Sequence, residues 1–392
     1  MFGFHWADIA VLTVYLLGTT AIGAWLATRI HDMGDFFMPR RFGKAMLIMH
    51  SFGTGTHSDQ AVIVASKSFT SGLSGIWYQW QWLFVTPFYW LVAAVLRRTR
   101  AITIADMVAF RFGTSVSLLY TAVACAHLVV AMGVILKGSG AVLAAASNDL
   151  LPANVAIAVM TVMFVAYGIS GGLAAAIVTD FIQGLLTVFF SFLLLPYVLH
   201  AVGGMQGLRE AVADPSMFSL VAPGEISVFY VAVISLNALV GSIVMPNMMG
   251  VCGSSKTELD SRVGMMGGNF VKRICTMAWC LTGLAAVAYF AGKDIDPDQI
   301  FGMMAREFLP NISPGLLGLF IAAMIATVMS TCDSMMINCS ALLTENLYKK
   351  VCTNRSERHY IWFGRVAAGG VVLAGLLLAY RLPNVVTGIE TL

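Results

Sequence analysis

Between residues 327 and 334 the sequence carries four hydroxyls, Thr327, Ser330, Thr331 and Ser334. On an α-helix those intervals fall on one face. Once it sheds its water, a small hard cation needs several oxygen ligands, and hydroxyls supply them without a fixed charge. The same hydroxyls also serve as glue between helices, each hydrogen bond worth about 0.6 to 2 kcal/mol, so the face alone leaves both readings open. A second stretch, Ser51-Phe52-Gly53-Thr54-Gly55-Thr56-His57-Ser58-Asp59-Gln60, sets two glycines and a polar cluster in apolar surroundings. Carbonyls freed at such a break could complete a cation's shell. His57 and Asp59 would either touch a solute or satisfy loose backbone groups there. Asp180 and Asp333 are carboxylates inside apolar runs, and an ionisable group at membrane depth is read as functional by default. Asp333 follows Ser330 by three residues, so both can look into one cavity. His127 reads as a hydrogen-bonded core residue.

Positioning those groups takes helices that cross a membrane. Of 392 residues, 58% are hydrophobic and 11% charged, roughly half the charged share of a soluble chain, which excludes a water-soluble globular enzyme. The formal net charge of +3 is far from the concentrated basic surface that phosphates demand, so no nucleic-acid partner is expected. The 7 cysteines have no metal-type pairing and read as small buried hydrophobes. A spanning helix needs about 20 mostly apolar residues. Ten runs are candidates: residues 6–27, 45–69, 74–96, 115–146, 153–169, 173–200, 226–250, 274–291, 314–343 and 360–380. The first lacks a basic leader and a cleavage site and reads as a retained helix. An outside N-terminus places 17 of the 23 Lys and Arg residues on the inner side, as the positive-inside bias requires.

Two of those runs are interrupted. One break is the stretch 51–60; the other lies around Asn237, Gly241, Ser242, Pro246 and Asn247. In lipid a break is tolerated only where protein or a watery cavity covers the freed backbone. Interrupted helices five runs apart are the pattern of inverted repeats sharing a midplane site, although Gly and Pro are also simply common in membrane helices. The aromatic run GIWYQWQWLFVTPFYW is broken by Gln79 and Gln81.

At these residues the chain resembles the sodium:solute symporter family, whose members use a leucine-transporter-type fold with one extra helix in front. The resemblance is carried by YGISGGLAAAIVTDFIQ, Tyr167 to Gln183, with its aromatic, Gly-Gly, Thr-Asp and Gln pattern, and by the run at 314–343 that continues into LLTENLYKK. DFFMPRRFG, Asp35 to Gly43, and TIADMVAFRFG, Thr103 to Gly113, are similar as well. The likeness runs along nearly the whole chain. It implies an all-α, polytopic membrane helix bundle with an inverted-repeat core, forming a single transmembrane domain. Residues 1–44 would be the leading helix and cytoplasmic loop, 45–200 the first five-helix repeat and 226–392 the second. Because the sequence stops where the last core helix is expected, that second repeat is expected to be incomplete at its C-terminus.

The resemblance also implies a site. A sodium ion would sit between carbonyls of Gly53 and Thr56 and the hydroxyls of Thr327, Ser330 and Thr331, the face read independently above. A second cation site, present in some members, would involve Asp180 with Ser330, Asp333 and Ser334; a carboxylate at 333 departs from the hydroxyl expected there. Solute-binding positions would be Gly55, His57, Asp59, Gln60, Gln79 and Asn247, without the set that marks the sugar-carrying members. The implied activity is sodium-coupled import of a small organic solute by alternating access, not an enzymatic reaction. A solute-sensing module of the same fold is the rival reading. The expected surroundings are a lipid bilayer, the plasma membrane or a bacterial inner membrane, with the protein a monomer or loose homo-oligomer.

Overall fold

The computed structural model describes residues 5–30, 32–56, 58–147, 151–222 and 226–381, without the side chains of residues 58, 59, 141, 142, 145, 146, 167 and 170. His57 and the Asp59 side chain, both expected at a solute site, lie outside the described residues. So do residues 382–392, on which the expectation of an incomplete second repeat falls.

Twelve helices set the frame: α1 (Trp6–Ala27), α2 (Lys44–Thr54), α3 (Ser58–Ser71), α4 (Tyr89–Thr99), α5 (Thr114–Ala146), α6 (Ala153–Ala201), α7 (Val228–Val244), α8 (Asn247–Gly253), α9 (Glu258–Tyr289), α10 (Ile300–Ile312), α11 (Leu316–Ala341) and α12 (Glu357–Arg381). Shorter helical turns connect them, and no strand is assigned among the described residues. By length and apolarity six described helices can cross a membrane, and the bent α7–α8 pair makes a seventh. The other three expected runs have visible reasons for missing that measure. Residues 45–69 are divided between α2 and α3, 74–96 are cut into short turns before α4, and 153–169 form the shorter first arm of α6. The runs 153–169 and 173–200 were expected as separate helices. The structure keeps them as two arms that meet at Gly172, whose non-helical φ of 54° and ψ of −156° are open to a residue without Cβ.

Packing places α11 at the centre. Of its most apolar window 89% is buried, against 17% for α1, so α11 is surrounded by protein while α1 lies at the rim facing lipid. α6 packs on α11, α1, α2 and α9, and α9 packs closely on α2 and α3. α1 is also pinned at its start, where Asp8 Oδ1 accepts a hydrogen bond from the Gly318 N–H at 2.8 Å. These neighbours hold the two halves of the first broken helix between α6, α9 and α11.

Both breaks have local causes. At the first, α2 ends at Thr54 and Gly55 takes φ −99°, ψ 3°, outside the helical well. At the second, Met245 is extended and Pro246, which has no N–H to donate, opens the next segment; α7 and α8 meet at 63°. Tyr120 of α5 donates to the freed Val244 carbonyl at 2.7 Å, which covers one of the groups that lipid could not.

One expectation is overturned. The helix anticipated at 274–291 starts instead at Glu258, behind a capping box in which the Thr257 side chain accepts from the Asp260 N–H and Asp260 reaches back to the Thr257 N–H. Lys272 and Arg273 therefore lie in mid-helix, 6% and 4% exposed, and not in an inner loop. Two of the seventeen cations counted toward orientation are buried in the bundle. The hydropathy reading failed because it took two charges as the end of an apolar helix.

Candidate functional site

The unwound segment after α2 meets the hydroxyl face of α11. Thr331 Oγ1 lies 3.4 Å from the Gly53 carbonyl and 3.1 Å from that of Thr327, close enough to donate to either. The Thr56 N–H also donates to Gly53 O, at 3.1 Å. Gly53 allows this approach because it has no side chain: a Cβ there would stand 3.0 Å from Ser330 Oγ and 3.6 Å from Asp180 Cβ. Thr327 Oγ1 donates to Met324 O at 2.8 Å, leaving its lone pairs for another partner. Ser330 Oγ, a hydroxyl of the set, is buried without a hydrogen-bond partner, as is Thr56 Oγ1, on the residue expected to contribute its carbonyl. Buried polar atoms normally have such a partner. Hydroxyls and carbonyls of this kind could hold a sodium ion, and interhelical glue would have used the orphaned hydroxyl.

Asp180 also stands against Gly53, with its Cβ 3.6 Å from where a Gly53 Cβ would lie. Its Oδ2 is 2.6 Å from His50 Nδ1, both residues fully buried, and its Oδ1 has no hydrogen-bond partner. Thr54 Oγ1 lies 3.3 Å from the same imidazole nitrogen and 3.2 Å from Ser334 Oγ. Asp180 thus connects to Ser334 through His50 and Thr54, and shares the surroundings of Gly53 with Ser330. Asp333 packs instead against Gly168 of α6 and beside Met336; a Cβ on Gly168 would collide with its carboxylate. His50 was not singled out in the sequence, although an imidazole inside the 45–69 run is the same kind of signal that drew attention to His57.

Next to this region lies a cavity of about 250 Å³. Gly55, Gln60 and Asn247, three of the positions expected to bind solute, line it. Gln79 is not among its lining residues; its carbonyl accepts a hydrogen bond from Arg273 Nη1 at 2.6 Å. His127, read as a core residue, faces the cavity. The wall that sequence reasoning missed is α9: Asn269, Lys272 and Arg273 all line the space. Lys272 Nζ donates to the Gly55 carbonyl, so α9 holds the broken segment from one side as α11 does from the other. The signal that could have found them is the cap at Thr257 to Asp260, which starts the helix early enough to carry both cations inward.

Comparison with known proteins matches residues 36–388 to the model of the sodium:solute symporter family. The high-affinity proline transporter PutP of Bacillus subtilis (strain 168) is 27% identical, over 94% of this chain and 80% of its own length. The sodium/proline symporter of Escherichia coli (strain K12) is 25% identical, with 97% and 78% covered. Sodium/glucose cotransporter 1 of Oryctolagus cuniculus is 25% identical, and the alignment spans 95% of this chain but only 62% of the rabbit protein. Among solved structures, a Na+-coupled sialic acid symporter in a substrate-bound outward-open state superposes with a TM-score of 0.86 at 17% identity, covering 99% of this chain and 83% of that one. A nucleobase-cation-symport-1 family transporter in a closed conformation reaches 0.63 at 11% identity, with 89% and 75% covered. At these identities the structural likeness establishes the leucine-transporter-type fold. The chain is a multi-pass membrane protein, and with the family model covering most of its length, it belongs to the sodium:solute symporter family.

Proposed function

We propose that this chain carries a small organic solute into the cell together with sodium, by alternating access around the two broken helices. The observation that carries the reading is the contact of Thr331 Oγ1 with the Gly53 carbonyl beside two orphaned hydroxyls. In this account Gly53, Thr56, Thr327, Ser330 and Thr331 hold the ion and so fasten the unwound segment to α11. A bound ion favours whichever conformation brings those groups together, by as much as its affinity differs between states. Membrane potential adds about 2.3 kcal/mol per charge per 100 mV, so one sodium per cycle is enough to drive accumulation.

The solute occupies the cavity against Gly55, Gln60 and Asn247, with the Gly55 backbone linking it to the ion site within three residues. Asp180 and Ser334, with Ser330 shared, are the oxygens for a second cation, with His50 as a competitor for the Asp180 carboxylate. We place the N-terminus outside, in the plasma membrane, on the arginines and lysines that stay at the helix ends. Purified protein in liposomes should take up labelled solute when sodium is outside. Uptake that is unchanged when choline replaces sodium contradicts the proposal.

A further inference from the structure

We propose that Arg273 is the recognition residue for a negatively charged group on the solute, so that the cargo is a small organic anion with a carboxylate or similar planar oxyanion. The inference rests on the symport reading for the cavity's role and adds to it the class of cargo. Arg273 is 4% exposed and lines the cavity. Its guanidinium finds only neutral acceptors: Gln79 O at 2.6 Å and Asn269 Oδ1 at 3.4 Å, with Nε left unsatisfied. No carboxylate is within ion-pair distance of it among the described residues, and none of the described lining residues is acidic. A guanidinium is costly at this depth, and arginines there pair with an acid or mark a pathway. Among the described residues none supplies that acid.

The arginine is also held rigidly enough to select. Its backbone carbonyl accepts from Trp80 Nε1 at 3.1 Å, and Asn269 is itself tied to Met265 O at 3.0 Å. A planar fork fixed in this way matches a carboxylate in two-point contact, which a hydroxyl or a sugar ring cannot reproduce. The 250 Å³ volume lies at the low end of ligand pockets and limits the cargo to a compact molecule.

The test measures thermal stability of the purified full chain, with and without sodium, against matched probes: propionate with propionamide, proline with prolinamide, pantothenate with panthenol, and the neutral solutes glucose and myo-inositol. At least one carboxylate should stabilise the protein at concentrations about tenfold to a hundredfold below its uncharged partner, the range expected for hydrogen bonds to a charged group. Arg273→Gln should erase that preference and Arg273→Lys should restore part of it. Stabilisation by glucose or myo-inositol equal to that of any carboxylate overturns the proposal. So does the absence of any carboxylate-selective signal in protein that sodium itself stabilises. The wild-type panel decides the matter even if the variants do not fold. Carboxylate binding indifferent to sodium would uphold the anion site and sink the symport reading; sodium-driven uptake of a neutral solute alone would do the reverse.

Discussion

The two sides of the unwound segment after α2 are built from opposite chemistries. Toward α11, Gly53 faces uncharged hydroxyls, with Ser330 Oγ unsatisfied. Toward α9, two residues further on, Gly55 O accepts from Lys272 and the wall continues into Arg273. In the proposed account one side offers lone pairs to a cation, and the other offers Arg273 N–H donors to an anion. Because only Thr54 lies between Gly53 and Gly55, filling one side would fix the geometry of the other. That is the physical content of coupling here: a bound ligand on either side reduces the freedom that the second must remove.

The comparison is most severely tested at Gly53. Gly53→Val puts branched bulk where a single Cβ already stands 3.0 Å from Ser330 Oγ. It should abolish sodium-dependent uptake, more than about a hundredfold, while leaving the protein inserted; overpacking of this kind typically costs about 1 to 3 kcal/mol. Normal sodium-driven uptake in that variant would mean that the break and α11 do not need to touch. Next in size is the pair Ser330→Ala with Thr331→Ala. Removing two oxygen ligands should raise the sodium concentration for half-maximal stabilisation about thirtyfold, at roughly 1 kcal/mol per hydroxyl. Either change alone should give the square root of that factor, and no change in the double variant would relocate the ion.

A smaller effect sharpens the contrast between the two breaks. Tyr120→Phe removes the donor that covers Val244 O at the α7–α8 bend. Its expected cost is about 0.6 kcal/mol, the average for side-chain hydrogen bonds within membranes, read as a small drop in melting temperature with sodium affinity unaltered. A sodium effect from this change would tie the second break to the ion site as well. The smallest effect belongs at the surface. Arg98→Gln disrupts an exposed pairing with Glu258 at 2.7 Å, and the melting temperature should stay within measurement error of the wild type.

The sequence made the bundle, both breaks and the hydroxyl face of α11 legible, because each leaves a local mark: long apolar runs, glycine or proline within them, and helical spacing of Thr and Ser. The α9 wall was hidden by the same rule that revealed the spans. A hydropathy scan ends a helix where Lys272 and Arg273 occur, and only the cap at Thr257 to Asp260 shows that the helix had begun four turns earlier. The glycine pair at 171–172 was legible as well, because the backbone there leaves the helical well at Gly172 and separates two helices. The His50 to Asp180 contact spans 130 residues of sequence, and no local pattern encodes a pairing of that range. The same holds for Asp333, whose place against Gly168 depends on how α6 kinks before it packs.

The most direct measurement is equilibrium binding of labelled sodium to purified protein with no solute present, compared between wild type and the Ser330→Ala, Thr331→Ala double variant. Saturable binding in the wild type that weakens about thirtyfold in the double variant, with the fold retained by circular dichroism, is the predicted result. Equal binding in both proteins would contradict the assignment of the ion to the seam between the unwound segment and α11.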